Sequence, residues 1–127
     1  MSPAKRRILL VDDEESMRQT IGKRLEVAGF DVITAVDGED ALLKARTGKA
    51  DLMILDVMLP KLNGYEVCAK LKQDAALRTL PIVMFTAKGD VPQEHLVGYL
   101  FGADAYLSKS VGFKEIMAQI ETLLEKK

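Results

Sequence analysis

With 127 residues, 48% of them hydrophobic and 29% charged, the chain has the length and balance of one soluble domain over residues 1–127, not of a disordered or membrane-embedded protein. A net charge of −1 argues against any broad attraction to nucleic acid or an anionic membrane surface. No apolar run is long enough to cross a bilayer, and the basic start "MSPAKRR" meets acids straight after "ILLV" without a signal-peptide core, so a cytoplasmic location and a plain thiol at the lone Cys68 are expected.

Short runs rich in Val, Ile and Leu alternate with segments of helical period, with no low-complexity linker or solenoid repeat between them. The first strand is expected over 7–11. "EESMRQTIGKRLEVAG" then reads as an amphipathic helix with Met17, Ile21, Leu25 and Ala28 inward and Gly29 stopping it. A strand over 31–35 leads to "DGEDALLKARTG", where Asp37 is the candidate N-cap, Ala41, Leu42 and Ala45 face inward and Gly48 ends the helix. A strand over 52–56 precedes a helix over 64–73, and a strand over 82–86 precedes "VPQEHLVGYLFG". That segment is helical, but its apolar residues cover more of the circumference than one buried stripe requires. A strand over 105–108 and a helix over 113–125 complete the series.

Strands joined by crossover helices build a parallel sheet with right-handed connections, covered by helices on both faces. The fold class is therefore α/β, a flavodoxin-like three-layer sandwich whose five-stranded parallel sheet takes the common doubly wound order 2-1-3-4-5. In such sheets the ligand crevice lies beyond the carboxyl ends of the strands flanking the reversal of order, here just after Val11 and at Asp56. Asp12, Asp13 and Asp56 are thereby expected to converge.

Three close carboxylates need a cation, and an all-oxygen donor set suits a hard ion such as Mg²⁺. Helix capping by Asp12 or Asp13 is the plainer explanation for either residue, but it accounts for one acid and not three. Thr86 and Lys109 end their strands at the same edge, adding a hydroxyl and an ammonium. Lys109 taken alone would be an ordinary solvated lysine; beside three carboxylates it is the expected counter-charge. Such a site is built to hold phosphoryl oxygens, with Asp56 the best-placed nucleophile.

The stretches "VDDE", "DLMILDVMLPKLNGYEV", "TA" and "DAYLSK" together resemble the receiver domain of bacterial two-component response regulators over nearly the whole chain. The resemblance implies that Asp56 accepts a phosphoryl group from a histidine kinase or a phosphotransfer protein, and that the domain is a switch and no enzyme beyond self-catalysed transfer and hydrolysis. It implies Mg²⁺ held by Asp12, Asp13, Asp56 and the backbone carbonyl of Met58, a switch hydroxyl at Thr86, a switch aromatic at Tyr106 and a phosphate-contacting Lys109. Pro60 and Gly64 would shape the loop after the acceptor; an ordinary Pro/Gly turn fits them as well. Output would pass to a downstream protein target or a second receiver, with no direct nucleic-acid or membrane binding by this domain.

One departure stands out: Ser110 follows the lysine where the family usually has proline after a cis bond. A cis bond before a residue other than proline costs about 2.5–4 kcal/mol, so the Lys109–Ser110 bond is expected to be trans. The stretch from Thr86 to Lys109 is also about one residue longer than the family pattern. The alternative within the family is a degenerate receiver acting as a phosphorylation-independent interaction module. A flavin or nucleotide carrier of the same fold would need a small, hydroxyl-rich loop where "DDEES" stands. A phosphatase with an aspartyl nucleophile would need an acid at Met58.

In "HLVGYLFG", Leu96, Val97, Tyr99, Leu100 and Phe101 cannot all face inward unless Gly98 lets an irregular helix sink into the sheet. Tyr99 and at least one of Val97 or Phe101 are expected to be solvent-accessible and to form a partner surface.

Overall fold

Five runs of β-branched and aliphatic residues pair into one parallel sheet: β1 (Arg7–Val11), β2 (Asp31–Ala35), β3 (Leu52–Leu55), β4 (Ile82–Thr86) and β5 (Ala105–Ser108), in the order β2-β1-β3-β4-β5. The computed structural model describes residues 5–87 and 101–125. Its helices are α1 (Glu15–Val27), α2 (Gly38–Thr47), α3 (Gly64–Gln73) and α4 (Phe113–Glu125). The parallel direction is that expected from the alternation of elements, and the order is that of the common doubly wound pattern.

Successive strand residues point to opposite faces, and here both faces are buried. Leu9, Val11, Met53, Leu55, Ile82 and Met84 share one core cluster with Ala41, Leu42 and Ala45 of α2 and Val67, Cys68 and Leu71 of α3. Ile8, Leu10, Leu52, Ile54, Val83 and Phe85 share the other with Ile21 and Leu25 of α1 and Ile116, Ile120, Leu123 and Leu124 of α4. This is why β1, β3 and β4 read as nearly unbroken apolar runs, whereas the edge strand β2 carries Asp31 and Thr34.

Asp37 caps α2 as expected, its Oδ1 accepting from Asp40 N–H at 2.8 Å. Gly29, at φ +103°, follows α1 in the left-handed region where glycine carries no Cβ penalty. Other expectations are corrected. Strand β3 stops at Leu55, one residue short, so Asp56 lies just past the strand while its N–H still donates to Val11 O at 3.1 Å. Ala28 is exposed because it is the C-cap of α1, past the packed turns, and Gly22 is the further buried residue of that helix. The Lys109–Ser110 bond, by contrast, is trans as expected. The expectations for Leu96, Val97, Tyr99 and Leu100 lie outside the described residues; Phe101 is 42% exposed, its ring centroid 5.5 Å from that of Tyr65.

The loop between β3 and α3 is fastened to the start of α2. Gly38 N–H donates to Pro60 O at 3.4 Å, Lys61 Nζ lies 3.6 Å from Asp37 Oδ2, and a Cβ on Gly38 would stand 2.2 Å from Leu62 O. Gly38→Ala is therefore expected to destabilise the fold by about 1–3 kcal/mol or more, measured by urea denaturation, because backbone rather than a movable side chain occupies the space. Cys68 is fully buried and burial pushes its thiol up to about 12. It should resist a thiol reagent at pH 8 in the native protein and react on unfolding; fast native labelling would show that the α3 side of the core is open.

Candidate functional site

The carboxyl ends of β1, β3 and β5 deliver the charged groups. Beyond β1, Asp12 N–H donates to Ala35 O at 3.2 Å, which extends the sheet one residue and keeps Asp12 only 2% exposed. The chain then turns, with Asp12 Oδ1 accepting from Glu14 N–H at 2.9 Å and Asp12 O accepting from Arg18 Nη1 at 2.7 Å. Glu14 is the N-cap of α1 and makes no side-chain cap bond, so neither Asp12 nor Asp13 caps that helix. Asp56, 4% exposed, accepts Met58 N–H on Oδ1 at 3.2 Å and leaves Oδ2 facing the crevice. Gly64 makes this turn possible: a Cβ there would come within 2.5 Å of Asp56 O.

Lys109 crosses from β5 to these acids. Its backbone N–H donates to Thr86 O at 2.9 Å, and its Nζ lies 2.8 Å from Asp12 Oδ2, 2.9 Å from Asp56 Oδ2 and 3.5 Å from Glu14 Oε1. One oxygen each from Asp12, Asp13 and Asp56 lies within 4.8 Å of the others, with Asp13 exposed. Thr86 is fully buried, and its Oγ1 meets no hydrogen-bond partner among the described residues. Tyr106 is buried within the α2 and α3 core cluster. Met58 is exposed and joins Asp13, Leu59, Pro60 and Asn63 in lining an open depression of about 530 Å³.

The charges do not balance, since one ammonium serves two buried carboxylates with a third alongside. Burial raises the Asp56 carboxyl above its ordinary range and the negative charge of Asp12 adds to this, against the opposing hydrogen bond and charge of Lys109. Burial works against the charge on Lys109, but its hydrogen bonds to Asp12 and Asp56 prevail and hold it above the usual lysine range. The excess of oxygen anions suits a small hard divalent cation. Sequence reasoning did not assign Glu14, although it sits in the acidic run, nor Ser108, whose burial depends on pairing with β4.

A family model described as the response regulator receiver domain matches residues 8–121. The chain belongs to this family. Receivers are the signalling domains of phosphorylation-based two-component systems. Over 121 residues this receiver is 47% identical to the alkaline phosphatase synthesis transcriptional regulatory protein PhoP of Bacillus subtilis (strain 168), covering 95% of this chain and 49% of that protein. It is 43% identical over 122 residues to the probable transcriptional regulator ycf27 of Cyanophora paradoxa, covering 96% and 49%. The chain thus spans about half the length of the curated relatives it matches. Among solved structures, the chemotaxis protein CheY4 of Vibrio cholerae superposes with a TM-score of 0.88 at 31% identity, covering 94% of this chain and 99% of that one.

The imbalance predicts opposite effects from two substitutions in metal-free buffer. Lys109→Met leaves buried acids uncompensated and should cost roughly 3–5 kcal/mol of stability. Asp56→Asn removes the surplus charge while Lys109 keeps Asp12, and should add about 0.5–2 kcal/mol at pH 7. A carboxyl raised in the folded state lowers stability above its folded pKa, so the advantage of Asp56→Asn should shrink as pH falls toward the unfolded value. Denaturant midpoints across pH test both signs.

Proposed function

We propose that residues 1–127 act as one phosphorylation-dependent switch in the cytoplasm, with Asp56 the phosphoryl acceptor. The observation that carries this reading is the Lys109 ammonium held 2.9 Å from Asp56 Oδ2 and 2.8 Å from Asp12 Oδ2 at the carboxyl edge of the sheet. In the transfer, an Asp56 carboxylate oxygen forms a bond to phosphorus as the phosphorus–nitrogen bond of a phosphohistidine on the kinase or phosphotransfer protein breaks. The electron pair of that bond stays on the imidazole. Lys109 supplies positive charge beside the incoming oxygens without further reorganisation. Asp12, Asp13, Asp56 and the Met58 carbonyl are the groups that would hold Mg²⁺, which when bound neutralises charge on the phosphoryl oxygens.

Thr86 supplies the output step. Its buried Oγ1 lacks a partner among the described residues, and a phosphoryl oxygen on Asp56 offers one. Movement of Thr86 opens room for Tyr106, one strand away at the pairing of Met84 with Tyr106, and alters the β5 edge that a protein target or a second receiver reads. The role is that of an acceptor and self-dephosphorylating domain and not of an enzyme with turnover on other substrates, and this domain itself touches neither DNA nor membrane. Among the described residues no helix is long and apolar enough to cross a membrane.

Incubation with acetyl phosphate and Mg²⁺ should add the mass of one phosphoryl group, lost on treatment with hydroxylamine. Asp56→Asn should reduce this labelling to background, as should chelation of the metal. Labelling of Asp56→Asn at the wild-type level would move the acceptor elsewhere, and no labelling of the wild type would favour an interaction module that is never phosphorylated.

A further inference from the structure

The turn that carries Lys109 is closed by two serine hydroxyls. Ser108 pairs with Thr86 at the end of β5 and is only 4% exposed. Its carbonyl accepts Val111 N–H at 3.1 Å, so Lys109 and Ser110 are the two central residues of a four-residue turn. Its hydroxyl oxygen accepts Ser110 N–H at 3.1 Å and lies 2.7 Å from Ser110 Oγ in a shared hydroxyl bond. Among the described residues, both partners of the buried Ser108 hydroxyl therefore come from Ser110. A proline at position 110 would remove the N–H and the hydroxyl together, leaving Ser108 Oγ buried with neither.

Such local side-chain bonds to the backbone hold a turn where its residues alone would leave several conformations open. The consequence falls on Lys109, the residue between the two serines. Its backbone is fixed on one side by Thr86 O and on the other by the clasped Ser110, and from that anchor the side chain spans two carboxylates at 2.8 and 2.9 Å. We propose that Ser108 and Ser110 are positioning residues for phosphoryl acceptance: their hydroxyl clasp holds the trans Lys109–Ser110 turn so that the ammonium reaches Asp12 and Asp56 together. This rests on the reading of Asp56 as the acceptor, and it makes the two serines a joint requirement of this chain.

The test compares wild type, Ser108→Ala, Ser110→Ala and Ser110→Thr by initial rate of labelling with acetyl phosphate, and by the ¹⁵N resonance of Lys109 Nζ at one pH without metal. Ser108→Ala is expected to slow labelling by on the order of tenfold to a hundredfold, the scale for a misplaced reacting group, and Ser110→Ala by a smaller factor. Ser110→Thr keeps both the hydroxyl and the N–H and should restore the wild-type rate. Ser110→Thr keeps both bonds to the buried Ser108 and should keep the wild-type denaturation midpoint, and Ser110→Ala is labelled where its denaturation curve shows it fully folded, which separates positioning from folding. In Ser108→Ala the Lys109 resonance should move toward that of solvated lysines. Alanine variants that label at the wild-type rate with an unmoved Lys109 resonance would overturn the clasp. A wild type that never labels overturns the acceptor reading instead, and the resonance then decides the clasp: a shift in Ser108→Ala supports it and no shift ends it.

Discussion

One ammonium shared by two buried carboxylates organises this protein. Lys109 is joined to Asp12 and Asp56 across β4, a strand that supplies none of the three, so the contact exists only when β1, β3, β4 and β5 lie in their observed order. Its surroundings amplify it. Asp12 and Asp56 are almost fully removed from solvent, so water screens neither their repulsion nor their attraction to Lys109. Breaking the contact would strand negative charge in the interior, while adding positive charge beside it relieves the surplus.

That surplus places stability and chemistry in tension. A core built for stability alone would not set a second and third carboxylate beside a single lysine. Here the acids sit at the strand ends, where the sheet gives way to turns: Lys109 holds Oδ2 of Asp12 and of Asp56, backbone N–H groups hold each Oδ1, and the exposed Asp13 stands beside them. Asp56 carries the cost in its raised carboxyl, and perturbed groups of this kind concentrate where chemistry is done. Thr86 adds a second unmet demand, a buried hydroxyl without a partner among the described residues, one strand from Asp56. A surplus of negative charge and a buried hydroxyl without a partner among the described residues thus meet at one sheet edge.

The scaffold around this edge is held by close backbone packing. Gly64 lets Asp56 O approach the first turn of α3, and Gly38 lets the start of α2 meet Leu62. Asn63 and Glu66 complete a reciprocal capping box that starts α3 directly after the loop. Asp56 is thus held between strand β3 and the start of α3, whereas Lys109 is carried on a turn closed by bonds between Ser108 and Ser110.

Much of this was legible in the residues alone. Apolar alternation, caps at Asp37 and Gly29 and the placing of acids after Val11 and at Asp56 are local features, set by neighbours within a few residues, and they were enough to place the elements of the described residues; the sheet order came from the common doubly wound pattern, and with it the meeting place of Asp12, Asp13 and Asp56. Boundaries slipped where a hydrogen bond from another strand decides them, as at Asp56, and where a residue leaves the packed turns, as at Ala28. The partnering of Glu14 with Lys109 and the burial of Ser108 had no local signal. Lys109 and Asp56 stand 53 residues apart, and which oxygen faces the ammonium is decided by the register of four strands. A sequence records which groups reach the sheet edge because that depends on short-range periodicity. Only the assembled sheet decides which atoms touch, because distance and burial are properties of chain segments brought together from far apart.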